Sequence, residues 1–508
     1  MKVQQATVIL NGVPRVCEVG SCLGDLISLH TQEQMPCGGH GKCGKCRVTV
    51  TGEITPPSEE EKRVLTADEL DSGVRLACRT TVLGDCTVTT RQAGGTEQIV
   101  TDGRFPASMQ GSTLAPAWTG CGVAIDIGTT TLAARLYDRA GQPLAEVSRL
   151  NPQSAWGADV ISRMEAALAG HATRIAEVTR RALDEMLCEL AESARVATAD
   201  VHSVVITGNT VMLHLLTATD VEPLTHAPFA VKRLFDEILT PEDLGLSALP
   251  ADAEIYLPPC IAAFIGADTV TATLASDLLR NAHTSLLCDI GTNGEMVLWH
   301  EGNLYACSTA AGPAFEGAGI SMGMGGRSGA IDRVQVVNGR LHAHVIGEVP
   351  PVGLCGSGLV DAVAALLDTE ALDETGYLED DPAEIASPVT VSQEDIRAVQ
   401  LAKSAIHAGM RTLTSAAGLS MDNVNTLYIA GGFGSYLNVG SAGKIGLLPL
   451  ELTDRVVVLG NAALTGAAML LLCDHLRPTC ADFAWQARLV ELATNPVFMS
   501  EYVERMMF

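Results

Sequence analysis

Apolar and polar residues alternate over positions 6–10 and 13–19, and Asn11-Gly12 separates the two runs. A period of two around an Asn-Gly pair predicts a β-hairpin with a two-residue turn. Positions 24–30 predict a short helix, and positions 47–50 and 86–90 predict β-rich strands. Pro56, Pro57 and Ser58 precede Glu59, Glu60 and Glu61, the pattern of a turn entering a helix with Ser58 as N-cap. Residues 92–118 lack a sustained period and are rich in Gly, Pro, Ser and Thr. That predicts a linker with one strand near its centre.

Beyond the linker the pattern becomes strand, tight turn, strand. Gly122-Val-Ala-Ile-Asp126-Ile-Gly128-Thr129-Thr130-Thr131 leads into a second apolar run. Leu286-Leu-Cys-Asp289-Ile-Gly291-Thr292-Asn293-Gly294-Glu295 does the same, with its Asp-Ile-Gly-Thr core 163 positions later. Such a repeat points to a duplicated domain. Glycine lets backbone N–H groups approach phosphate oxygens, and the hydroxyls of Thr129, Thr130 and Thr292 add donors. Asp126 and Asp289 suit Mg²⁺, which takes one or two carboxylates alongside water and phosphate oxygens. One copy alone would equally be an ordinary hairpin; two in matching contexts point to a nucleotide cleft between two lobes. No Walker A motif is present, because Gly41-Lys42 and Gly443-Lys444 are followed by Cys and Ile.

Residues 425–434 read as a strand running into Gly431-Gly432-Phe433-Gly434, a loop on which an adenine or ribose could lie. Residues 456–460 read as a strand before a helix of small residues around Gly466, and residues 259–268, ending in Asp268, are its counterpart in the first half. Small residues let helices approach closely, as a hinge requires, though plain packing would use them too.

Length and charge narrow the function. The 508 residues suffice for about three domains. Residues 1–118 carry a net charge of −2, leaving −24 of the total −26 on the rest. A chain this acidic is a poor nucleic-acid binder. The longest apolar stretch near the C-terminus, residues 462–473, is interrupted by Thr465 and Gly466 and is too short to span a bilayer. The opening residues are polar where a signal peptide would be apolar. A cytoplasmic protein without a membrane span is expected, and its fifteen cysteines are not a disulfide framework.

Four of those cysteines stand apart. Cys37, Cys43 and Cys46 follow the spacing C-x5-C-x2-C, and Cys78 follows after 31 residues. Gly38, Gly39, Gly41 and Gly44 would let the chain wrap closely and aim backbone N–H groups at sulfur. Plant-type ferredoxins use C-x4-C-x2-C with a distant fourth cysteine, one residue shorter in the loop. Zinc is the competing occupant, but structural zinc sites favour two C-x2–4-C pairs and only one is present. Cys17, Cys22 and Cys86 read as strand or turn residues, and His40 as a solvated loop residue. The Gly39–Gly44 segment also fits G-x-G-x-x-G, but it follows Pro36 rather than a strand, which argues against a dinucleotide site.

The phosphate loops, small-residue helices and glycine loop together resemble the acetate and sugar kinase/Hsp70/actin superfamily. With the cysteine cluster in front, nearly the whole chain resembles the reductive activators of corrinoid proteins, ferredoxin-fused ATPases of anaerobic methyl transfer and O-demethylation. Asn151-Pro152-Gln153, Gly157-Ala-Asp159-Val-Ile-Ser162-Arg163, Thr207-Gly-Asn209-Thr210, Gly312-Pro313-Ala-Phe-Glu316-Gly317 and Asp395-Ile-Arg-Ala-Val-Gln400-Leu-Ala-Lys403 carry that likeness.

The resemblance implies an α/β protein. A β-grasp [2Fe–2S] ferredoxin domain would span 1–91, a linker 92–118, and a duplicated, two-lobed actin/Hsp70-like ATPase domain 119–508. Within the latter, lobe 1 would cover about 119–283, lobe 2 about 284–480, and a helical tail 481–508. Cys37, Cys43, Cys46 and Cys78 would hold the cluster. Gly128, Thr129, Thr130, Thr131, Gly291, Thr292, Asn293, Gly294, Gly431, Gly432 and Gly434 would hold ATP. Asp126, Asp289, Asp268 and Glu316 would act on it with Mg²⁺.

The implied activity is ATP-driven electron transfer from the cluster to Co(II) of a methyltransferase system's corrinoid protein, restoring Co(I). A low-potential donor would feed it, no nucleic acid or membrane is involved, and a homodimer is allowed. Family members often carry an extra middle domain, for which 27 residues leave no room. Pro258 stands where Hsp70-like ATPases carry a Glu, leaving Asp268, Glu295 and Glu316 as candidates for activating water. Asp200-Val-His202 lacks the glycine of a corrinoid-binding D-x-H-x-x-G and reads as a helix-to-strand turn, so the corrinoid belongs to a partner. A redox-regulated ATPase chaperone or assembly factor, and a small-molecule kinase with a ferredoxin appendage, remain as other readings.

Overall fold

A computed structural model describes residues 4–30, 39–90, 103, 105–106, 109, 114 and 116–508. The N-terminal module is a five-stranded mixed sheet in the order Val13–Glu18, Gln5–Leu10, Val82–Thr90, Arg47–Ile54, Val74–Leu76. The Asn-Gly hairpin forms as expected, with Leu10 opposite Val13. Gln5–Leu10 then pairs in parallel with Val82–Thr90, and the helix Leu23–His30 packs on the sheet. This is the β-grasp arrangement. Val8, Leu23, Val48, Leu76 and Val88 are the heart of its core.

The helix Glu59–Val64 starts at Ser58, whose hydroxyl accepts from Glu61 N while the Glu61 carboxylate accepts from Ser58 N. Glu61 is buried and also accepts from Arg75 Nε and Nη2, at 2.9 and 2.8 Å, and from Leu76 N. Burial alone would raise its pKa; the Arg75 and backbone hydrogen bonds hold it below the usual value. One side chain thus caps a helix and fixes the strand that leads into Cys78.

The body repeats one topology. The first sheet runs Glu237–Leu239, Glu254–Leu257, Val201–Gly208, Cys121–Ile127, Thr131–Tyr137, Pro143–Leu150. The second runs Val456–Gly460, Thr426–Ala430, Ser285–Ile290, Gly294–His300, Asn303–Thr309, Arg488–Leu489. In each, the strand ending in Asp-Ile pairs antiparallel with the strand after its turn and parallel with a later strand. The chain beyond residue 480 is not wholly helical. Arg488–Leu489 joins the second sheet beside Asn303–Thr309 before the helix Pro496–Glu504.

The helices Ala267–Ala275 and Ala462–Leu472 cross between the two sheets, within one apolar cluster drawn from both lobes. Their contact needs glycine: a Cβ on Gly466 would lie 1.9 Å from the Thr271 carbonyl oxygen. The described part of the linker lies on this crossing. Trp118 Nε1 donates to Leu471 O at 2.9 Å, and Phe105, Met109 and Leu114 pack against the same cluster. A plain tether was expected; the apolar residues spaced through residues 105–118 instead anchor its second half to the body. The strand expected near its centre falls largely outside the described residues. No helix among the described residues is long and apolar enough to cross a membrane.

Candidate functional site: a thiol cluster and a nucleotide cleft

Cys46 immediately precedes the strand Arg47–Ile54, and Cys78 sits in the turn Ala77–Arg79 after Val74–Leu76. Ala77 N donates to Cys46 O, which brings the two buried sulfurs to 3.3 Å. Neither is in a disulfide. Cys43 is exposed on the preceding loop, and Cys37 lies outside the described residues. Gly39, Gly41 and Gly44 all have positive φ. At Gly44 the need is also steric, since a Cβ would meet Arg47 Nη1 at 2.6 Å and Val64 Cγ1 at 2.7 Å.

Among the described residues no three Cys, His, Asp or Glu side chains converge as a metal-holding group. The two touching thiols at a glycine-wrapped turn nevertheless fit a thiolate-ligated cluster completed from the Cys43 loop. Cys17 and Cys86 lie in strands. Cys22 faces the carbonyls of Ala77 and Cys78 at 3.7 and 3.8 Å, bracing the Cys78 turn.

The cleft lies between the two Asp-Ile-Gly-Thr turns. It is lined by Asp126, Thr130, Asp268, Asp289, Thr292 and Glu316, among others. Gly128, Thr129, Thr131, Gly291, Asn293, Gly431 and Gly432 also line it; Gly294 and Gly434 do not. Gly434 is packed underneath, where a Cβ would meet Ile429 Cγ2 at 2.6 Å. The amides of Gly128 and Gly291 close their own turns, onto Thr131 O and Asn293 O. Donors for phosphate must therefore come from the hydroxyls and other amides of these loops. Asn151 braces the first loop, donating from its backbone to Thr130 O and from Nδ2 to Gly128 O, each at 2.8 Å.

Five carboxylates crowd this space. Burial, then the charge of Asp268, pushes Asp126 up to about 7. Burial, then Asp268, Asp126 and Glu316, pushes Asp289 up to about 7. Burial raises Asp268 to about 6, lifts Glu295 well above its usual value, and raises Glu316. A divalent cation would relieve this repulsion, so the donor set fits Mg²⁺. Glu316 already has partners: Thr130 Oγ1 donates to it at 3.1 Å from one loop, and Thr292 Oγ1 donates from the other. It bridges the lobes.

Some of the site was not singled out from sequence. Asn461 Nδ2 donates to Asp126 Oδ2 at 3.1 Å, and Asn209 Nδ2 to Glu295 Oε1 at 3.5 Å. Asn461 also caps the Ala462–Leu472 helix, a signal readable in its position before a helical run. Arg163 is fully buried; burial lowers its pKa to about 10, against the opposing pull of Asp159 and Glu316.

Comparisons with known proteins accord with these two sites. A 2Fe-2S iron-sulfur cluster binding domain matches residues 8–83, the RACo middle region matches 121–281, and the C-terminal domain of RACo, the ASKHA domain, matches 283–508. The corrinoid activation enzyme RamQ of Eubacterium limosum is 35% identical over 418 residues, 76% of this chain and 70% of that protein. The chain belongs to the RACo family. A second RACo relative is the [Co(II) methylated amine-specific corrinoid protein] reductase of Methanosarcina barkeri. It is 25% identical over 381 residues, 69% of this chain and 70% of its own length.

The solved structure of a reductive activator for corrinoid,iron-sulfur protein shares the RACo fold, with a TM-score of 0.71 at 24% identity over 99% of this chain and 98% of that one. The N-terminal module is therefore an iron–sulfur domain, and the body includes an ASKHA ATP-binding domain over residues 283–508. The RACo middle region coincides with the first of the two duplicated sheets and is not an insertion between ferredoxin and body.

Proposed function

We propose that this RACo-family chain is an ATP-dependent reductive activator of a corrinoid protein belonging to a methyltransferase system. When bound, a [2Fe–2S] cluster supplies the single electron that takes the partner's cobalt from Co(II) to Co(I). Cys37, Cys43, Cys46 and Cys78 would hold it, with the Cys46 and Cys78 sulfurs already in contact. Asp126 and Asp289 would hold Mg²⁺ through its waters and the phosphates, with Asp126 oriented by Asn461. Asp268, Glu295 and Glu316 are the candidates to receive a proton from water; Glu316 takes both threonine hydroxyls on Oε2 and leaves Oε1 to the cleft. Residues 1–91 would act as the electron-carrying module and 119–508 as the ATPase. A low-potential donor would recharge the module in the cytoplasm, with neither nucleic acid nor membrane taking part, and a homodimer remains compatible with this reading.

The observation that carries this reading is the union, in one chain, of a thiol pair on a ferredoxin module with a carboxylate-rich cleft between duplicated lobes. ATP hydrolysis by the cluster-loaded protein should rise several-fold on adding a Co(II) corrinoid protein, and not on adding unfolded protein. No phosphorylated acid or sugar should form. Stimulation by unfolded protein, or transfer of phosphate to an added acceptor, would replace this reading with the chaperone or the kinase.

A further inference from the structure

Lys45 stands between Cys43 and Cys46 on the cluster loop, yet its ammonium is spent on the distant ATPase body. Lys45 Nζ donates to the carbonyls of Ile320 at 2.9 Å, Gly317 at 3.3 Å and Gly323 at 3.4 Å. Three acceptors match the three N–H donors of an ammonium. The receiving loop starts one residue after Glu316, the carboxylate that holds Thr130 and Thr292 of the two phosphate loops. A single peptide bond therefore separates the seat of the cluster loop from the bridge across the nucleotide cleft.

The loop is braced as a unit. A Cβ on Gly317, at φ +79°, would meet Met324 N at 2.7 Å, so the two ends of the loop are in contact. Ser321 N and Oγ donate to Asp395, at 2.7 and 2.5 Å, which ties the middle of the loop to the start of the helix Gln393–Ala416. On the module's other side Asp25 pairs with Arg174 at 3.5 Å. A cavity there is lined by Gly39 and Cys78 of the module and by Trp156 and His171 of the body. Cys78 thus looks onto the body, while Cys43 stays exposed.

We propose that this docked arrangement is a nucleotide-released latch, with Lys45 as its bolt and the 317–323 carbonyl loop as its seat. The inference rests on the reading of the cleft as the Mg-ATP site. Phosphate oxygens compete for the Thr130 and Thr292 hydroxyls, Glu316 loses the bridge, the adjoining loop shifts, and the carbonyl cage lets go of Lys45. The module then swings its cysteine face toward the corrinoid partner. Linkage requires that docking weaken nucleotide binding by the factor by which nucleotide weakens docking.

The test uses the full-length, cluster-loaded chain as parent, Lys45→Gln and Lys45→Arg, with Mg-AMPPNP affinity by calorimetry and hydrogen exchange of residues 317–323. In the parent, Mg-AMPPNP should speed exchange across the loop. Lys45→Gln should show that faster exchange without nucleotide and bind Mg-AMPPNP about fivefold or more tightly, while Lys45→Arg stays near the parent. The visible spectrum of each variant, unchanged from the parent, reports an intact cluster. Equal affinity in parent and Lys45→Gln, or exchange indifferent to nucleotide in the parent, would overturn the latch. Failure of the parent to bind Mg-AMPPNP at all would instead overturn the cleft reading beneath it.

Discussion

The role proposed for Asp126 and Asp289 rests on an environment that is costly without a ligand. Burial and mutual repulsion raise both to about 7, so the folded protein without metal holds protons that the unfolded chain, with carboxylates near 3.9, has lost. Their contribution to stability is fully present below about pH 4 and is lost as pH rises through about 7. Asp126→Asn should therefore make the metal-free protein more stable than the parent at pH 8, by up to about 4 kcal/mol. It should also abolish Mg-ATP hydrolysis. Thermal melts against pH, without Mg²⁺, check the first part; equal parent and variant melts at pH 8 would contradict it. In the parent, Mg-nucleotide affinity should weaken as pH falls below 7, with proton release on binding.

At the cluster, Cys78→Ala should lose the visible absorption and the iron, whereas Cys86→Ala, altered inside a strand, should keep both. An intact cluster in Cys78→Ala would remove it from the ligand set. These residues were legible because spacing and repetition marked them. Lys45 and Asn461 were not, because their partners lie hundreds of positions away: Lys45 reaches Ile320, and Asn461 reaches Asp126. A lysine beside a cysteine pair reads as a solvated loop residue until its acceptors are in view.

At the scale of elements, repetition made the body readable. Two Asp-Ile-Gly-Thr turns implied two lobes, and the two sheets do share one order over the five strands around them, differing in which edge carries a sixth. The small-residue helices were ambiguous between hinge and packing, and contact geometry shows that they are closely packed. Gly466 sits where any Cβ would strike the Thr271 carbonyl of the opposing helix, at the crossing between the lobes. Gly466→Ala should cost about 1–3 kcal/mol of stability, as overpacking does, and should slow hydrolysis more than it weakens nucleotide binding. A variant with the parent's melting temperature and turnover would show that the crossing is slack. The edge strand Arg488–Leu489 was not foreseen, since two residues carry no period. Nor was the packing of the linker's second half, where a low-complexity run hides Trp118 and Leu114 among Gly, Pro and Ser.

For the whole molecule, a near-neutral electron module is set against a body carrying most of the −26 charge, and among the described residues it meets that body through the Lys45 seat, the Asp25–Arg174 pair and the helix Leu23–His30 against Pro152–Ala155. Such an interface suits a module that docks and departs. The energetic problem is also global. A plant-type [2Fe–2S] donor sits near about −400 mV, and each 59 mV of shortfall costs about tenfold in a one-electron equilibrium. Nucleotide can supply drive only through different affinities for two states of the assembly. The most direct measurement is anaerobic spectroscopy of the partner's cobalt, mixed with pre-reduced activator, with and without Mg-ATP. The account predicts appreciable Co(I) only with Mg-ATP, and none from Asp126→Ala even though its cluster is reduced. Equal Co(I) yield without nucleotide would contradict it, leaving the ATPase no part in driving the electron.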